Sequence, residues 1–236
     1  MLEPFKLSDT TTVIIDNFTK FLSTEKSDQR KIRLTPNWIE FKISGIVGFY
    51  NCKEELNTGF NNLVISDSKK FLDLIGKIGL QNAQYKEPFL YLKNGDTKIK
   101  YHTSPLVSAK PVDRKIIKVF DSIIKEDRLT IPSFELDLND INSFFSNINM
   151  MGYNFIKFES KNNSLKIIGC DDTGIDAGYY EENLNIKIKE KINVGINKDF
   201  LTKMFKGNYK VYFSEHILRF ESLDIKGLEY YLSVSE

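Results

Sequence analysis

Four stretches of the chain mix apolar and polar residues with the spacing of a one-sided helix. The first puts Ile14, Ile15, Phe18 and Leu22 on one face, and the second Phe71, Leu74, Ile75 and Ile78. The third does so with Ile141, Phe144, Phe145 and Ile148, and the fourth with Phe200, Leu201 and Met204. Separations of three, four and seven residues fall on one stripe of an α-helix. Such a helix buries its stripe on something broad, and a sheet is the natural partner. Each stretch follows an aliphatic residue, a Ser or Asn, and a charge: Leu7-Ser8-Asp9, Ile65-Ser66-Asp67, Leu138-Asn139-Asp140 and Ile196-Asn197-Lys198. Ser and Asn side chains accept otherwise unpaired amides of a first helical turn, so the pattern predicts N-caps at Ser8, Ser66, Asn139 and Asn197.

The segments between these helices read as antiparallel strands. Residues 89–92 and 97–101 flank Asn94-Gly95, a type I′ hairpin signal. Residues 155–159 and 165–168 flank a second turn at Lys161-Asn162-Asn163, and 184–188 alternates with period two. Residues 209–213, 218–221 and 228–234 complete an α+β pattern of four short helices and many hairpin-linked strands.

The cap spacing repeats. Ser8 to Ser66 and Asn139 to Asn197 are both 58 residues, while Ser8 to Asn139 and Ser66 to Asn197 are both 131. Two halves with matching helix starts imply a duplicated domain. The pattern predicts an N-terminal domain over 1–107, a partly helical connector over 108–130 and a C-terminal domain over 131–236, the connector being set off by Pro105, Pro111 and Pro132.

Composition narrows the chemistry. The 236 residues hold 33 Lys+Arg against 32 Asp+Glu, a net charge of +1 that leaves the partner open. Only five of those cations are Arg, which reads as coding bias as much as function. No apolar run reaches the roughly 18–20 residues of a membrane span, and the start does not read as a signal peptide. Two cysteines and two histidines exclude a disulfide scaffold and give no metal or imidazole-based site, so a soluble cytoplasmic protein without cofactor is expected. Asp172-Thr173-Gly174 matches the aspartic-protease triplet but has no second copy to share a proton, so it reads as a polar turn after the strand at 165–170. No phosphate-cradling glycine loop or nucleophile elbow is present, and the expectation is a non-enzyme.

The polar faces of the helices hold more. The second carries Lys69, Lys70 and Lys77 with Asp73, and the fourth Lys198, Lys203 and Lys206 with Asp199. The first carries Lys20 beside Thr12, Asp16 and Ser23, while the third offers Asn142, Ser143, Ser146 and Asn147 and no cation. Ordinary solvated surface and sparse phosphate-touching cations are both consistent with this.

The chain resembles the phage-type sliding clamps, the DNA polymerase processivity factors of T-even-like phages, which are structurally similar to proliferating cell nuclear antigen. Lys6-Leu7-Ser8-Asp9-Thr10-Thr11 through Asn17-Phe18 resembles the first clamp helix, and 196–210 the last helix with its exit strand. Leu228-Glu229-Tyr230-Tyr231-Leu232 resembles the final strand, with weaker matches at 64–78 and 134–145. The resemblance implies a DNA-clamp fold and a head-to-tail homotrimer encircling duplex DNA without reading its sequence. Lys20, Lys69, Lys70, Lys77, Lys198, Lys203 and Lys206 then face the DNA. It also implies a pocket for short peptides of the replicative DNA polymerase and clamp loader, with Ile116, Ile117, Val119, Phe120, Tyr230, Tyr231 and Leu232 as candidates that are equally readable as core. Ring closure needs strand edges, for which topology offers Lys98, Ile99, Lys100, Tyr101, His102 and Thr103 in the first half. The second half offers Gly178, Tyr179, Tyr180, Glu181, Glu182 and Asn183. A duplicated protein-interaction module that binds no DNA is the alternative.

Overall fold

The computed structural model of the chain describes residues 9–23, 31–35, 37–52, 63–78, 82–109, 132–171, 178–214 and 216–234. The chain divides into two compact units, Met1–Val112 and Asp113–Glu236.

In the first unit, α1 (Asp9–Leu22) leads into β1 (Ile32–Leu34), β2 (Trp38–Ile43) and β3 (Ile46–Asn51). Next come β4 (Leu63–Ile65), α2 (Ser68–Ile78), β5 (Asn82–Lys86), β6 (Phe89–Asn94) and β7 (Thr97–His102). Antiparallel pairing gives the strand order β4-β1-β2-β3 and a separate sheet β5-β6-β7. Ile14, Ile15, Phe18, Phe21 and Leu22 of α1 are buried, and Phe18 and Phe21 clasp Phe41 of β2 at 4.7 and 5.1 Å between ring centroids. Phe71 of α2 packs on Tyr101 of β7 at 5.7 Å. The Thr19 hydroxyl joins the two helices by donating to Ser68 Oγ at 2.7 Å.

The second unit runs β8 (Ser133–Asp137), α3 (Asn142–Met150), β9 (Phe155–Lys161), β10 (Ser164–Cys170) and β11 (Tyr179–Lys187). It continues through β12 (Asn193–Asn197), α4 (Lys198–Lys203), β13 (Asn208–Phe213), β14 (Ile217–Ser222) and β15 (Leu228–Ser233). Its strand orders are β12-β9-β10-β11 and β8-β13-β14-β15. Phe144, Phe145 and Ile148 anchor α3, and Leu201 anchors α4.

From the first helix of each onward, the units match element for element. In each, the strand before the second helix pairs with the first strand after the first helix, so β4 on β1 repeats as β12 on β9. Three strands then follow the second helix as one meander, β5-β6-β7 or β13-β14-β15. Helix starts lie 59 residues apart in one unit (9 and 68) and 56 in the other (142 and 198), close to the spacing seen in the sequence.

Local details depart from expectation. Of the caps, Asn197 accepts the Asp199 amide at 2.8 Å as anticipated, whereas Ser8 lies outside the described residues. At α2 the cap is Asp67, whose Oδ1 accepts the Lys70 amide at 3.0 Å, and Ser66 stands one residue too early. Asn139 belongs to a turn tied by Asp137 Oδ1, and α3 starts after Ile141 with no side-chain cap. The hairpin signals also exchange roles. Asn94 pairs with Thr97 as strand, leaving Gly95-Asp96 as the turn with only Gly95 at positive φ. Asn162 and Asn163, both near +55°, supply the paired left-handed residues of a type I′ turn.

Candidate nucleic-acid interface

Seven lysines were singled out on the helix faces, and the structure sorts them by their surroundings. Lys69 and Lys70 are exposed in the first turn of α2, and their ammonium groups have no ion-pair partner among the described residues. The Lys77 side chain lies outside the described residues. Lys20 is exposed, with Asp16 one turn back at 3.6 Å. In the second unit Lys198 is 9% exposed, covered where its amide donates to the Asn154 carbonyl. Lys203 pairs with Asp199 at 3.7 Å. Lys206 places its ammonium 4.8 Å from the Phe145 ring centroid, and burial pulls its pKa below the ordinary lysine value. Helix α3 shows Asn142, Ser143, Ser146, Asn149 and Met150 to solvent and no charge. Among the described residues, Lys69 and Lys70 are thus the helix lysines that stand exposed with neither a carboxylate nor a ring against them.

The two strands proposed from topology as edges each have one hydrogen-bonded neighbour among the described residues: β7 pairs with β6, and β11 with β10. Along β7, Lys98, Lys100 and His102 are exposed, Ile99 is partly so and Tyr101 is buried. Thr103, just past the strand, is fully buried, with its amide and its hydroxyl both donating to the Pro88 carbonyl at 2.8 Å. Along β11, Tyr180 turns toward α3, where its ring lies 5.8 Å from Phe144. Its hydroxyl accepts from Asn147 and donates to Glu182, both at 2.7 Å. Glu181 turns the other way and holds Lys166 at 2.6 Å, a hydrogen bond that raises the lysine pKa. Tyr179 is half exposed beside it, Asn183 is exposed and Gly178 takes a positive φ at the strand's entry.

The candidate pocket residues do not form one wall. Ile116, Ile117, Val119 and Phe120 lie outside the described residues. Tyr230 and Leu232 are fully buried on the inner side of β15, where the Tyr230 hydroxyl accepts the Phe205 amide at 3.4 Å. Strand alternation puts Tyr231 on the opposite side, against Arg219. Asp172, Thr173, Gly174 and Asp176 also fall outside the described residues. Among the described residues no three metal-ligating side chains gather, Cys52 and Cys170 are buried and form no disulfide, and no helix is long and apolar enough to cross a membrane.

A buried ionic network on β14 and β15 gave no sequence signal. The Arg219 guanidinium reaches Glu229 at 2.9 Å and Glu221 at 3.7 Å, and the Tyr212 hydroxyl donates to Glu221 at 3.1 Å. Burial alone pulls the arginine pKa down, but Glu229 and its neighbours outweigh that and raise it.

No family model matches the chain, and no curated protein matches it. Solved structures do. The chain is similar to Caulobacter crescentus pol III beta, with a TM-score of 0.73 at 12% identity over 100% of this chain and 66% of that one. It is similar to the DNA polymerase sliding clamp from Pseudomonas aeruginosa, with a TM-score of 0.68 at 11% identity over 98% and 66%. It is similar to the Helicobacter pylori beta clamp bound to a DNA ligase peptide, with a TM-score of 0.62 at 13% identity over 99% and 66%. Against the DNA polymerase III beta chain of Streptococcus pneumoniae it spans 63% of that chain's length. The chain has the sliding-clamp fold.

Proposed function

We propose that this chain is a sliding clamp, a non-catalytic processivity factor of the phage type its sequence resembles. One observation carries the reading. The same helix-and-sheet unit occurs once in each half with matched strand pairing, on a fold shared over nearly the whole chain with bacterial clamps. Three copies join head to tail, with β7 of one against β11 of the next. Duplex DNA passes through the ring, and the polar helix faces meet its phosphates without reading bases. A closed ring holds DNA by topology, so a few free cations suffice, and strong contacts would slow sliding. Lys69 and Lys70 lead, with Lys20, Lys77, Lys198, Lys203 and Lys206 in support. Peptides of the replicative DNA polymerase and clamp loader dock in a pocket to which Tyr231 contributes. The clamp acts in the cytoplasm, that of the host cell for a phage product.

Light scattering tests assembly, with about 82 kDa expected, three times 27.4 kDa. Retention on circular but not linearised duplex after loading tests encirclement. A chain that stays monomeric at every concentration, or leaves circular and linear DNA equally fast, returns the protein to the class of interaction modules.

A further inference from the structure

One face of the β5-β6-β7 sheet differs from its counterpart in the second unit. Leu90, Leu92 and Tyr101 are buried on the inner side, so alternation sends Phe89, Tyr91, Lys93, Lys98, Lys100 and His102 outward. The register stacks them in rows. His102 stands beside Phe89, Lys100 beside Tyr91, and Lys98 beside Lys93. On the other flank β5 adds Lys86 next to Phe89 and Gln84 next to Tyr91. Among the described residues no Asp or Glu occupies this face; Glu87 and Asp96 sit in the turns at its two ends.

Duplication supplies an internal control. The matching sheet of the second unit turns Lys210, Tyr212, Arg219 and Tyr231 to its corresponding face, but Glu221 and Glu229 stand among them. Arg219, Tyr212 and Tyr231 are at most 9% exposed there. The same topology thus carries a neutralised, covered face in one unit and an exposed cationic one in the other. A lysine-rich composition alone predicts no such difference.

Rings and amines interleave on the exposed face. Lys100 Nζ lies 3.7 Å from the Phe89 centroid and 6.0 Å from that of Tyr91. The two rings are 6.3 Å apart and tilted by 59°, and His102 meets Phe89 edge-on at 5.2 Å. A polyanion satisfies the lysines. Exposed rings add affinity only if the partner brings free π-faces, which unpaired bases have and a duplex keeps internally stacked. We propose that this face binds single-stranded nucleic acid without sequence preference, its bases stacking on Tyr91 and Phe89 and its phosphates lying against Lys93, Lys98 and Lys100. The site is separate from the helix faces and does not require the clamp reading.

The test is fluorescence anisotropy of a labelled oligothymidylate with the full chain, from about 50 to about 200 mM salt. Binding is expected, with log affinity falling against log salt at a slope of roughly −0.7 per lysine engaged. Tyr91→Ala, at an exposed position, should weaken binding about 5- to 150-fold with an unchanged circular dichroism spectrum. Replacing Lys93, Lys98 and Lys100 by Gln should flatten the salt slope by about 2. Retention on circular duplex should be untouched by Tyr91→Ala. Four results overturn the proposal: no binding at the lowest salt, Tyr91→Ala binding as wild type, a hairpin duplex binding as tightly through the same residues, or polyglutamate or anionic phospholipid vesicles displacing the probe as well as unlabelled oligothymidylate does. Loss of circular-duplex retention in Tyr91→Ala would overturn the separateness of the site.

Discussion

Arg219 and Glu229 stand on adjacent strands with guanidinium and carboxylate 2.9 Å apart, the arginine side chain 7% exposed and the glutamate 16%. The other carboxylate oxygen accepts the Tyr231 hydroxyl at 2.5 Å. Removing one member of a buried pair leaves the other charge without compensation, at a cost of about 3–5 kcal/mol. Glu229→Gln should therefore lower the urea midpoint substantially. Arg219→Met combined with Glu229→Gln should cost less than the sum of the single changes, since the one acid left, Glu221, is partly exposed and keeps its Tyr212 hydrogen bond. Additive losses in that cycle would show that the two side chains are not coupled.

Gly48 of β3 lies directly across from Phe41, and a Cβ added there would stand 2.0 Å from the ring. The ring cannot withdraw, because Phe18 and Phe21 of α1 hold its other side. Gly48→Ala should destabilise the fold by about 1–3 kcal/mol or more through overpacking. Phe41→Leu in the same chain should recover part of that loss. Gly169 repeats the arrangement in the second unit, with Ile148 Cγ2 at 2.3 Å from its would-be Cβ, and Gly169→Ala should respond in the same way.

Tyr101 donates to the Asp67 carbonyl at 3.0 Å, and burial, with the nearby Asp67 charge, pushes its pKa up to about 12. A folded-state pKa above the unfolded value of about 10 means that the native form holds its proton more tightly. The associated stability is complete below about pH 10 and drains away as pH rises toward 12, with about 1.4 kcal/mol gone by pH 11. Tyr101→Phe should cost about 1 kcal/mol at neutral pH and then show a shallower alkaline decline in denaturant titrations. Tyr212, also raised to about 12, keeps part of the slope in the variant.

Much of this fold was legible because helices expose their period. Phe18, Phe144 and Leu201 are buried where the apolar stripes placed them, and the cap spacing anticipated the duplication. The first sheet was not read. Its strands carry Arg33 and Glu40 on the face opposite Ile39 and Phe41, with Glu40 3% exposed and their charged groups 3.6 Å apart. A buried ion pair reads as solvent-facing surface in sequence, and β1 and β4, three residues each, are too short for alternation to mark them. The caps show the same limit: Ser66 and Asp67 are both good caps, and backbone direction decides between them. At the candidate site, sequence identified the lysines but not their states. That Asp199 holds Lys203 follows from their i, i+4 spacing, but that Phe145 lies under Lys206 depends on which elements meet. The aromatic–lysine face of β6 and β7 needed the register that sets Lys100 beside Tyr91.

Lys69 and Lys70 offer the sharpest separation of stability from function. Both stand in the first turn of α2, where unpaired amides give the helix its positive end and added cations are unfavourable by about 0.3–1 kcal/mol each at low salt. Asp67 caps the turn, yet no carboxylate pairs with either ammonium group among the described residues. Replacing both by Gln removes the clash with the dipole. Glu is a poorer choice, since it would stand within a turn of Asp73 and add repulsion. The Gln variant should unfold at slightly higher urea than wild type at low salt, with the gain fading as salt screens it. If these lysines meet DNA phosphates, the same variant should load poorly and leave circular duplex faster. Higher stability with weaker retention is the expected pair of results. Higher stability with unchanged retention would take Lys69 and Lys70 out of the DNA path and leave the paired lysines of α1 and α4 to carry it.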